Sequence, residues 1–289
     1  MNFEIVTDSS ANLPEEWIET YNIQVLSLCF YVDGEEYYGY EKGKKTDLSK
    51  FYKMMREKKE IRTSLVNTAK AFSLCEDLLR NGMDILYIGF SSGLSGSFQS
   101  VKVALDGLRD SYPERKIYCV DTLAAALGEG LLVKRAADLR KDGVKIDDVY
   151  QWILDNRLNV CHWFTVDDLF FLKRGGRIST ATATLGTALN IKPVLHVDEE
   201  GHLVMAGKER GRKRALDALV RQLEEKSKNS LLQEVYISHG DCKEDAEYVM
   251  RKVKEKFDVK NSLIRILDPV IGAHSGPGTV ALFFMGEKR

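Results

Sequence analysis

The apolar residues of the first half fall into short runs separated by amphipathic stretches. FEIVT (3–7), QVLSLCFYV (24–32), DILYIGF (84–90) and KIYCVD (116–121) are β-type runs. Between them, DLSKFYKMMREKK (47–59) and TAKAFSLCEDLLRNG (68–82) repeat their apolar positions at helical spacing, the second ending at Gly82 as a cap. In NLPEEWIETYNI (12–23), Asn12 with Glu15 three residues on predicts a helix start, and DGEEYYGY (33–40) predicts a turn. Strands alternating with helices predict an α/β architecture with a mostly parallel sheet covered by helices on both faces.

From about residue 160 the pattern changes. VCHWFTV (160–166), KPVLHVDEEGHLVMAGKE (192–209), EVYISHGD (234–241), SLIRILDPVIGAH (262–274) and TVALFFMGE (279–287) are strand-like, and DEEG forms a short turn within one of them. Helical spacing is confined to DDLFFLKR (167–174), GRKRALDALVRQLEEKSK (211–228) and KEDAEYVMRKVKEKF (243–257). The expectation is an N-terminal α/β unit over 1–160 and a C-terminal α+β unit with antiparallel pairing over 161–289.

Composition narrows the function classes. The 289 residues carry 42 Lys+Arg against 43 Asp+Glu, a formal charge of −1, which argues against a whole-surface nucleic-acid binder. Cys29, Cys75, Cys119, Cys161 and Cys242 are scattered singly, as reduced thiols in a cytoplasmic protein would be. No apolar run approaches the 18 or so residues of a membrane span, and the start MNFEIVTD carries Glu4 and Asp8, where a signal peptide would be basic and then apolar. The five histidines show no metal-ligand spacing, so no metal or cofactor is expected.

The candidate chemistry lies in GFSSGLSGS (89–97), set between a strand run and the amphipathic FQSVKVALDGLRD (98–110). As a nucleophile, GFSSG fits G-x-S-x-G with Ser91 as the attacking serine of an α/β-hydrolase and His239 or His274 as base. Two features oppose this: the loop before the helix is longer than a tight elbow, and no HGGG-type segment precedes it. As a holder, a loop of small residues feeding a helix start offers hydroxyl and backbone donors, with the positive end of the helix dipole, to an anion. TDSS (7–10) reads as a turn with capping hydroxyls at the end of the first strand, and KRGGRIS (173–179) as a helix end with a glycine cap. The cationic run Arg210, Arg212, Lys213 and Arg214 reads as a solvated helix start or as a docking patch.

Six segments taken together, VTDSSANLP (6–14), TS (63–64), FSSGLSGSFQS (90–100), VDTLAAALGEG (120–130), LKRGGRIS (172–179) and GAHSGPGT (272–279), resemble the DegV family of bacterial proteins in the family's order along essentially the whole chain. That resemblance implies two domains with a long-chain fatty acid such as palmitate buried between them, and roles in lipid transport or fatty acid metabolism. It implies no catalysis by the chain itself. Some members present the carboxyl group to a separate ATP-using fatty acid kinase subunit. On the family pattern Thr63 and Ser95 hold the carboxylate, His274 lies near the head group, and Arg210 takes part in docking the kinase. Transient contact with a membrane surface fits the same picture. Many members follow the TS pair with Gln-Pro, whereas Leu65 and Val66 follow it here, so the surroundings of the carboxylate are expected to differ.

Overall fold

The computed structural model describes residues 3–44, 46–179, 190–227 and 231–289. Strands β1 (Phe3–Asp8), β2 (Gln24–Leu26), β6 (Asp84–Gly89) and β7 (Ile117–Asp121) form a parallel sheet in the order β2-β1-β6-β7. All of Ile85 to Ile88 is buried, as expected of a parallel strand covered on both faces. Helix α1 (Glu15–Thr20) links β1 to β2, α3 (Thr68–Arg80) precedes β6, and α4 (Ser97–Arg109) links β6 to β7. The mostly parallel sheet read from the first half is therefore present.

The run 24–32 is not one strand. Gln24–Leu26 pairs with β1, while β3 (Cys29–Val32) leaves for a three-stranded antiparallel sheet, β4-β3-β5, with β4 (Glu35–Tyr38) and β5 (Ile61–Ser64). EEYY is a strand and not part of a turn, because Asp33 (φ 50°) and Gly34 (φ 91°) reverse the chain in two residues and return it at once to pairing. Helix α2 (Leu48–Arg56) lies between β4 and β5, with Phe51, Tyr52 and Met55 buried.

Helix α5 (Leu127–Lys141) has its whole first half buried, Leu127 through Val133, and it contacts β1 and β6 on one side and later strands on the other. That first half has no solvent face, so amphipathic spacing does not mark it. Its glycines are required by close approach: a Cβ at Gly130 would stand 2.7 Å from the Ala11 carbonyl oxygen, and one at Gly128 would stand 2.1 Å from His162 Nε2. Helix α6 (Ile146–Asn156) follows.

The second half builds a mixed sheet in the order β10-β9-β8-β13-β11-β12. Its strands are β8 (Val160–Thr165), β9 (Ile191–Val197), β10 (Leu203–Arg210), β11 (Leu231–His239), β12 (Asp258–Ile266) and β13 (Val280–Met285), antiparallel throughout except for β11 with β12. Alternate residues divide its faces. Cys161, Trp163, Val235, Ile237, Leu282 and Phe284 pack beneath α8 (Arg212–Lys226) and α9 (Lys243–Lys254). His162, Phe164, Ala281 and Phe283 look the other way.

The run 262–274 is not one strand either. β12 ends at Ile266, and α10 (Pro269–Ser275) begins with proline in its first turn and Asp268 as cap, the Asp268 Oδ1 accepting from Val270 N (2.8 Å) and Ile271 N (3.2 Å). The short helix α7 (Phe170–Arg174) lies opposite α10. Among the described residues, no helix is long and apolar enough to cross a membrane.

Candidate functional site: an apolar cavity with a cationic end

A cavity of about 290 Å³ lies where the three sheets meet, close to the lower end of the roughly 300–1,000 Å³ typical of small-molecule sites. One wall is the β8/β13 face, carrying His162, Phe164, Ala281 and Phe283. Another is formed by Val270 and Ile271 of α10 with Leu267, and others by Leu28, Leu94, Leu172, Val197 and Leu203. Thr279, just before β13, and Ala281 and Phe283 within it line the cavity at alternate positions. The four residue steps from Thr279 to Phe283, at about 3.4 Å each, make this wall roughly 14 Å long.

The polar lining gathers near α10. Strand β5, held by β3 through the pairs Phe30–Thr63 and Cys29–Ser64, delivers Thr63 to the cavity. Its Oγ1 lies 2.8 Å from His274 Nε2, and His274 projects from the last turn of α10. Ser95 lies in the loop before α4, its Oγ donating to Ser97 Oγ (3.0 Å) and accepting from Ser97 N (3.2 Å). Ser97 Oγ also accepts from Val66 N, which fixes the loop to the end of β5. Thr63, Ser95 and His274, separated by up to 211 positions in the chain, thus line one cavity.

Two further residues of this end were not singled out in the sequence. Arg177 lines the cavity, its guanidinium held by the carbonyls of Leu94 (3.1 Å) and Gly175. The signal was the third cation of KRGGRIS, lying beyond the glycine cap (Gly176, φ 72°) where a helix dipole no longer accounts for it. Ser275 lines the cavity too, and its buried hydroxyl has no partner in the protein. Burial, then repulsion from Arg177 and Arg174, pushes the His274 imidazole down to about 4. The ring is therefore neutral near pH 7, and the potential around it is positive.

Ser91 lies elsewhere in the same loop and is fully buried. Its Oγ donates to the Gly201 carbonyl (2.9 Å) and accepts from Gly93 N (3.2 Å), tying the loop to the turn between β9 and β10. Neither base named for it is its partner: His239 accepts from Cys242 N and His274 meets Thr63. Ser91 has the bonding of a structural hydroxyl, so the nucleophile reading gains no support. Arg210 is exposed at the end of the edge strand β10, paired in register with Ile191, and the helix start is at Arg212 instead. Arg212 is engaged by Asp245 (2.7 Å) and Asp167 (3.6 Å).

An elongated apolar cavity with hydroxyl donors and guanidinium charge at one end has the lining suited to an amphipathic anion. A family model described as uncharacterised protein of the DegV family matches residues 2–287. A DegV domain-containing protein of Clostridium perfringens is 42% identical over 287 residues, covering 99% of this chain and 98% of that one. A fatty-acid-binding DegV family protein of Thermus thermophilus has the same fold at a TM-score of 0.88 and 29% identity, covering 99% of this chain and all of that one. DegV of Bacillus subtilis, a fatty acid binding protein, matches at 0.84 and 29%, with the same coverage. The chain belongs to the DegV family.

Proposed function

We propose that this protein binds one long-chain fatty acid, palmitate or a near relative, as a carrier without chemistry of its own. The observation that carries the reading is the polarity of the cavity: apolar walls along β13, and at one end Thr63, Ser95 and His274 beside Arg177. A carboxylate only accepts hydrogen bonds, and hydroxyl and guanidinium groups are donors suited to it. With Nε2–H of His274 donating to Thr63 Oγ1, the threonine proton is turned to the carboxylate. Ser95 rotates its hydroxyl from Ser97 to the ligand. Burying about fourteen methylenes at about 0.8 kcal/mol each supplies about 11 kcal/mol before the costs of association, so the chain sets affinity and the polar end sets orientation.

The same proposal gives residues 1–160 and 161–289 the role of two units with the ligand at their junction, in a cytoplasmic protein serving lipid transport or fatty acid metabolism. It includes presentation of the carboxyl group to an ATP-using fatty acid kinase subunit, with Arg210, exposed on an edge strand, docking an acidic partner or brushing an anionic membrane surface. Calorimetric titration of the delipidated protein with palmitate and with hexadecanol tests the core of this reading. Palmitate should bind clearly more tightly; equal affinity would remove the carboxylate from the account. Arg210→Ala should keep palmitate binding and lose acyl-phosphate formation in the presence of the kinase.

A further inference from the structure

A second, smaller cavity lies behind the lipid site. It measures about 50 Å³ and is walled by Asp8, Asn12, Tyr40, Arg265 and Asp268 together with apolar side chains from the first sheet and α1. Most of its polar groups are satisfied within the protein. Asp8 Oδ1 accepts from the backbone and hydroxyl of Ser10, and Oδ2 accepts from Tyr87 OH (3.1 Å) and Phe90 N (3.1 Å). Asn12 donates to the Ile266 carbonyl and accepts from Ser238 Oγ, and Tyr40 OH donates to Glu15.

Two groups on the wall are not satisfied. Asp268, 94% buried on its 6% exposure, uses Oδ1 to cap α10 and leaves Oδ2 without a partner. Arg265 leaves its buried Nε–H without an acceptor. One orphan is an acceptor and the other a donor. A metal or ammonium ion would satisfy the first and be repelled by the guanidinium; an anion would satisfy the second and leave the first without a donor. A molecule meeting both must donate and accept while carrying no charge, and 50 Å³ exceeds the roughly 10–15 Å³ that one water requires.

We propose that this chamber is a structural-water site, in which an ordered water donates to Asp268 Oδ2 and accepts from Arg265 Nε–H. The water joins the cap of α10 to the end of β12. Because α10 presents Val270, Ile271 and His274 to the lipid cavity, and Asp8 holds the backbone of Phe90 at the start of the serine-glycine loop, the chamber braces both elements of the polar end from behind.

A crystal structure of the full chain, with parallel rubidium and bromide soaks, tests this. The expected result is a density peak within hydrogen-bond distance of both Asp268 Oδ2 and Arg265 Nε and no anomalous signal from either ion. An empty chamber, direct pairing of the two side chains, or an anomalous peak there overturns the proposal. Arg265→Met keeps the aliphatic stem and removes the donor; it should lose the peak and speed hydrogen exchange at the Val270 and Ile271 amides. Should that variant not fold, Arg265→Lys, which keeps the charge without a donor at the Nε position, carries the same expectation. An unchanged peak in whichever variant folds overturns the role given to Arg265.

Discussion

The proposed site gives each polar residue at the cavity's end a different role, and single substitutions separate them. If Thr63 and Ser95 donate to the carboxylate, Thr63→Val and Ser95→Ala should each lose about 1.5–3 kcal/mol, or roughly tenfold to a hundredfold in the Kd for palmitate. Ser91→Ala should leave palmitate affinity close to that of the unmodified protein, since its hydroxyl is spent on the Gly201 carbonyl. Calorimetry that ranks Ser91 above Ser95 would show that the wrong serine was chosen. His274 gives a signed prediction. In the ligand-free protein burial and two arginines hold it down at about 4. A carboxylate brought alongside favours the imidazolium, so its NMR titration midpoint should rise when fatty acid binds. A midpoint unmoved by ligand would place the carboxylate elsewhere. Thr63, Ser95 and His274 were named through the family resemblance, the TS pair being uninformative by itself, and the structure brings all three to one cavity. Arg177 and Ser275 were not named, because a cation after a glycine cap and a serine after a histidine acquire meaning only when a cavity stands beside them.

At the scale of elements, spacing located strands and amphipathic helices and missed elements whose limits depend on a turn. Helix α10 was hidden inside an apolar run because its seven residues bury both sides, and only Asp268-Pro269 marks the break. Asp33-Gly34 converted an expected turn into a hairpin. The segment into α5 holds a backbone conformation that sequence spacing cannot report: Ala126, on the cavity wall, has φ 51° and ψ −141°. A non-glycine residue there stores about 1–3 kcal/mol, so Ala126→Gly should be neutral or stabilising even though it loses a buried methyl. Ala137→Gly, inside the same helix and fully buried, should cost about 1–2 kcal/mol. Chemical denaturation of the two variants decides; equal losses would mean that Ala126 is not strained.

For the whole molecule, the parallel sheet of the first half and the antiparallel pairing of the second were readable from periodicity, whereas the way the sheets enclose a cavity was not, since it depends on α5 contacting both. One tie that no pattern announces is Arg289. Its buried guanidinium donates to the carbonyls of Val160 (3.0 Å), Arg157 (2.9 Å), Asp198 (2.9 Å) and Thr122 (3.5 Å), joining the start of β8 to the turns on either side. Arg289→Met leaves those carbonyls without a donor and should cost about 2 kcal/mol or more, read as a lower denaturation midpoint at unchanged slope. A wild-type midpoint would reduce the contact to a surface ornament.

On the proposed function this fold encloses a fatty acid by its chain and orients it by its carboxylate. Mass spectrometry of the small molecules released when protein purified from a bacterial host is denatured tests it most directly. The expected release is a fatty acid of about fourteen to eighteen carbons, on the scale of about fourteen buried methylenes, in close to one equivalent per chain. Repeated extracts without fatty acid, from protein that also fails to take up added palmitate, would contradict it.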